Sequence, residues 1–347
     1  MRCLIAGLFA LLITIAAGTP APAAPPRPPD FQSADAVLRW INAYRAQPDP
    51  NSVPAAMRAL SRFGALQDPE RAGVYVGFLA GVIGSNLLTA DAIIAQSLTM
   101  QRDDRWIVVR AIAYSGRPDW KELLRRFAAQ MPERQAMIEK YLAGKSPTLE
   151  QLAIRPPPSS FDKFGEHFRI GKPSRKVILE PSPDVLDILW GYYFATASYG
   201  PVISLIELLQ WTEDRDDVER LTVGSMAKYT LASNATRDQT LLAMLRSSSK
   251  ARNQPAKTVT ALNEIVEAAE TVDTARIRKQ TMVAIDELRR KGPAYKRNVS
   301  WWGYLGQSAI AGGCIAAAVT GHVELGLPCV VGGAASSAVM GFWTNQP

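Results

Sequence analysis

Residues 72–90 read AGVYVGFLAGVIGSNLLTA, an uncharged stretch in which Gly73, Gly77 and Gly81 recur every four residues. At helical spacing these glycines share one face and let a second helix approach with backbone almost touching backbone. The stretch reaches the length of a minimal membrane span. Gly84-Ser85-Asn86 interrupts it, however, so it reads as a helix buried in protein. A second uncharged stretch, residues 188–206, reads ILWGYYFATASYGPVISLI and is cut at Gly200-Pro201. It is read as buried for the same reason. Its aromatic group, Trp190, Tyr192, Tyr193 and Tyr199, either lines a pocket or is core.

Outward from these stretches the chain reads as helix after helix. Val37, Trp40, Ile41 and Tyr44 follow the i, i+3, i+4, i+7 rule behind a capping Ser33. Further helices are predicted over 53–63, 70–84, 90–100, 104–114, 119–130 and 133–143, then over 184–198, 201–211, 216–232, 237–249, 256–271 and 274–291. Pro118 and Pro132 sit at helix starts, Gly64, Gly116 and Gly144 at helix ends, and Ser182-Pro183 opens the second series. No strand alternation stands out, apart from one short extended piece at residues 177–179. The fold class is therefore all-α, built from antiparallel helical hairpins as an α-solenoid or an irregular bundle. No fixed-period repeat is present.

The ends of the chain differ from this body. Met1-Arg2, an apolar run and Ala21-Pro22-Ala23 compose an export signal over residues 1–23, followed by a proline-rich spacer over 24–32. The helical regions then span 33–155 and 184–297, separated by a linker or surface excursion over 156–183 that contains Pro156, Pro157 and Pro158. Of the formal net charge of +7, eight cations against two acids lie within residues 276–297, among them Arg289, Arg290, Lys291, Lys296 and Arg297. That balance equals the whole charge left once Arg2 is removed. Such a patch suits either a solvated helix face or an anionic membrane surface. Export excludes nucleic acid as a partner.

Residues 298–347 carry no Lys or Arg and one acid, Glu324. Two apolar arms present small residues at four-residue spacing: Ala309, Gly313, Ala317 and Gly321 on the first, Gly333, Ser337 and Gly341 on the second. Aromatic residues (Trp301, Trp302, Tyr304, Phe342 and Trp343) stand at the outer ends of the arms. This pattern describes a close-packed helical hairpin that meets membrane, a protein partner, a second copy or the body itself. Signal removal leaves Cys314 and Cys329 as the two thiols of an exported protein. They form either a disulfide, worth about 3 kcal/mol for a loop of that size, or two buried thiols.

Catalytic patterns are sparse. Ser225-Met226-Ala227-Lys228 matches the S-x-x-K of serine acyl-enzymes, but Ser247 to Lys250 matches it as well. The companion motifs are also incomplete, so Ser225 and Lys228 are weak candidates. His167 and His322 are the only histidines, TEDRDD at 212–217 lacks the glycine and late glutamate of a calcium loop, and no cofactor or metal motif occurs. The segments Trp190 to Thr196 (WGYYFAT), Leu221 to Asp238 and Lys291-Gly292-Pro293 resemble those of a group of bacterial exported α-helical proteins with no assigned activity. The resemblance implies an exported helical protein and carries over no site. The expectation is a non-catalytic interaction or scaffold protein of the cell envelope that docks through residues 298–347. The alternatives are a soluble periplasmic module binding a peptide or amphiphile near Tyr192, and the serine acyl-enzyme.

Overall fold

The computed structural model describes residues 29–154 and 177–271, except 215, 216 and 253, together with Ile277, Lys279, Gln280 and Val283. The signal, the first part of the spacer (24–28), most of the 156–183 excursion, the cationic group from Arg289 to Arg297, the pair Cys314 and Cys329, and both small-residue arms lie outside the described residues.

The described chain is all-α. In order, the helices are α1 (Ala34–Ala43), α2 (Val53–Arg62), α3 (Gly73–Ser85), α4 (Ala90–Ser97), α5 (Trp106–Tyr114), α6 (Trp120–Ala128), α7 (Gln135–Leu142), α8 (Pro183–Thr196), α9 (Tyr199–Glu207), α10 (Val218–Ala235), α11 (Gln239–Ser249) and α12 (Ala256–Glu270), joined, apart from the 143–182 connection, by short turns and 3₁₀ turns. Caps fix several starts, since side chains of Ser33, Ser182, Asp217 and Asp238 each accept from a backbone N–H in the first turn of α1, α8, α10 and α11. Gly64, Gly116 and Gly144 occupy the left-handed region where helices end, as expected. The extended piece exists as one parallel bridge between Leu152 and Leu179, so the 156–183 excursion leaves and rejoins the body at neighbouring points.

The centre of the fold is α3, buried on every side from Gly73 to Ile83. It packs most extensively against α8 and next against α5. Its glycines meet α8 in register: Gly73 lies against Asp184, Gly77 against Ile188, and Gly81 against Ala195 and Thr196. The two helices therefore run in the same direction. This central contact is not one of the expected antiparallel hairpins, because it joins two stretches of chain more than a hundred residues apart in sequence. A Cβ on Gly77 would stand 1.9 Å from the Ile188 carbonyl oxygen, and one on Gly191 would stand 2.0 Å from that of Val74. No side chain fits at either position.

The second uncharged stretch also breaks earlier than expected. α8 ends at Ala197, which takes a left-handed φ of 52°, and Gly200-Pro201 lies inside the first turn of α9. Proline is accommodated there because an N–H in a first turn has no helical acceptor. Phe31, Trp40, Tyr44 and Phe78 pack edge to face and seat α1 on α3, and one continuous hydrophobic core runs through both helical regions. At the far end Ile277 is buried and Lys279 exposed.

Candidate functional site

The aromatic residues of α8 do not form one group. At 100° per residue, Trp190, Tyr193 and Phe194 share a face and are wholly buried, whereas Tyr192 points to another side. Trp190 donates through Nε1 to Thr230 Oγ1 on α10 at 3.0 Å. The Tyr192 hydroxyl donates to the Ser115 carbonyl at 3.0 Å, next to Gly84 and Gly116. Tyr199 is partly exposed on α9, and its hydroxyl bonds to Ser248 on α11 at 2.7 Å. Each polar atom thus ties α8 or α9 to a different neighbour. Trp190 and Tyr193 pack edge to face on the buried side of α8, while Tyr192 and Tyr199 bond elsewhere.

Two buried ion pairs reinforce these ties. Asp238, which caps α11, accepts from Arg45 Nη2 at 2.8 Å and from the Tyr193 hydroxyl at 2.5 Å. The Arg45 guanidinium also lies over the Tyr193 ring, 5.4 Å from its centroid. This node joins the segment after α1 to α8 and α11. Burial, helped by the bond to Asp238, raises the Tyr193 phenol well above its ordinary value.

At the opposite end of α8, Arg110 from α5 meets Asp184 at 2.6 Å. Burial raises the Asp184 carboxyl above its ordinary value, outweighing the pull of Arg110 in the other direction. Burial likewise opposes the charge on Arg110, but Asp184 holds its titration above that of a free guanidinium. Asp187, one turn further on, is buried too, and with Asp35 it adds to the burial that raises the Tyr75 phenol. Sequence reading did not single out Arg45, Asp238, Arg110 or Asp184 as interacting residues. The available signal was a charge within an otherwise apolar helix, as at Asp187.

The S-x-x-K residues lie on α10. Ser225 is buried, and Lys228 is paired with Glu264 of α12 at 2.5 Å. The Lys228 ammonium is thus engaged by a carboxylate of another helix. Among the described residues no hydrogen bond joins Ser225 to Lys228. In the 212–217 segment, Asp214 and Asp217 face Arg220. Among the described residues no group of three or more His, Cys, Asp or Glu side chains could hold a metal ion, and no helix is long and apolar enough to cross a membrane. No family model, no curated protein and no solved structure matches the chain.

Among the described residues few large apolar side chains are exposed. Phe63, Tyr199 and Ile203 are partly so, Val283 more, and Leu87 and Leu88, side by side in the turn between α3 and α4, are 63% and 99% exposed.

Proposed function

We propose that the protein is an exported, non-catalytic interaction or scaffold module of the bacterial cell envelope. Its helical body acts as a rigid platform that docks to membrane or to a protein partner through residues 298–347. The observation that carries this reading is the composition of that stretch: fifty residues without Lys or Arg and with one acid, directly after the cationic residues 276–297. Apolar surface of that extent is unfavourable in water and seeks cover. The body supports a structural role, because the hydroxyls of Tyr192 and Tyr193, the indole of Trp190 and the Arg45–Asp238 and Arg110–Asp184 pairs each join separate segments. A peptide-binding role near Tyr192 has less support, since Trp190 and Tyr193 are inaccessible. The acyl-enzyme reading is weakened by the pairing of Lys228 with Glu264.

The test is fractionation of the full chain and of a chain ending at residue 297, both expressed with the export signal. The full chain is expected in the envelope pellet after a carbonate wash, or in a complex of high mass, and the shortened chain as a free soluble species. Full and shortened chains that are equally soluble, equally localised and equal in assembly state would overturn the reading.

A further inference from the structure

We draw no further inference here: the strongest candidate, the exposed Leu87–Leu88 pair in the turn between α3 and α4, is an apolar surface patch beside balanced charges, and nothing in the structure shows what covers it.

Discussion

Two parts of the chain carry the same small-residue spacing. Gly73, Gly77 and Gly81 on α3 and Ala309, Gly313, Ala317 and Gly321 in the tail both repeat every four residues, but their company differs. Between and just after the α3 glycines stand Val74, Tyr75, Val76, Phe78, Leu79, Val82 and Ile83, large residues that bury apolar area on the remaining sides of the helix. Between the tail positions stand Ile310, Cys314, Ile315, Val319 and Thr320 beside four Ala or Gly residues, with no aromatic residue and no leucine among them. The α3 stripe is also flanked by polar ties that permit a single register against α8: Arg110–Asp184 near one end and Tyr192–Ser115 near the other. The tail has Glu324 as its one charged residue and so lacks the means for comparable ion pairs. A small-residue stripe therefore reports close approach alone. Whether it belongs to a protein core depends on bulky neighbours and directional polar contacts around it.

The largest expected effect breaks that comparison directly. Gly77→Val places a branched side chain where even a Cβ would overlap the Ile188 carbonyl, and Gly191→Ala does the same at Val74. Backbone is the obstacle in both cases, so a loss of at least about 3 kcal/mol is expected, the upper range for overpacking. Urea unfolding followed by tryptophan fluorescence measures it. Gly313→Val should leave the body's unfolding midpoint unchanged. An equal loss from Gly313→Val would make the two stripes equivalent and place the tail within the same cooperative unit.

Much of the fold was legible before any coordinates. Ser33 and Ser182 as caps, the three glycines at helix ends and most helix spans follow from local preferences that act within one turn. The glycines of α3 correctly announced a close neighbour. Which helix that neighbour would be was not legible, because periodicity defines a face but carries no address for it. Gly191 was the missed signal, a glycine inside the helical part of the other uncharged stretch. For a related reason the aromatic group around Tyr192 left both pocket and core open. Residues adjacent in sequence point to different sides of a helix, and only packing reveals that Trp190, Tyr192 and Tyr199 each serve a different contact. The Arg45–Tyr193–Asp238 node draws one residue from each of three distant segments, a juxtaposition that composition and spacing do not encode.

That node yields the next effect in size. Asp238→Ala removes a helix cap, leaves the Tyr193 hydroxyl without its acceptor and isolates a mostly buried Arg45. About 3 kcal/mol of destabilisation is expected, as for other broken buried pairs. Asp238→Asn retains the cap and an oxygen acceptor and should lose about half as much, because the charge is gone but no buried donor is abandoned. Thermal unfolding of both variants measures the difference. Equal losses would show that charge alone matters at this node, and that the polar ties supply attraction but not register.

The smallest effect is confined to alkali. Burial raises the phenols of Tyr44, Tyr75, Tyr141 and Tyr193 above the ordinary value, helped at Tyr193 by Asp238. A group whose folded value is raised contributes stability that is complete below its unfolded value, near 10 for tyrosine, and is lost as pH climbs above it. Ultraviolet titration should therefore show the exposed phenols ionising first and the buried ones only as the fold opens. Tyr193→Phe should lose about 1.5 kcal/mol at neutral pH, the scale of a hydrogen bond to a charged acceptor. It should also soften the decline of stability above pH 10 by one phenol's share. An unchanged alkaline slope in this variant would mean that Tyr193 ionises within the folded state, and the Asp238 node would then be too open to lock α8 against α11.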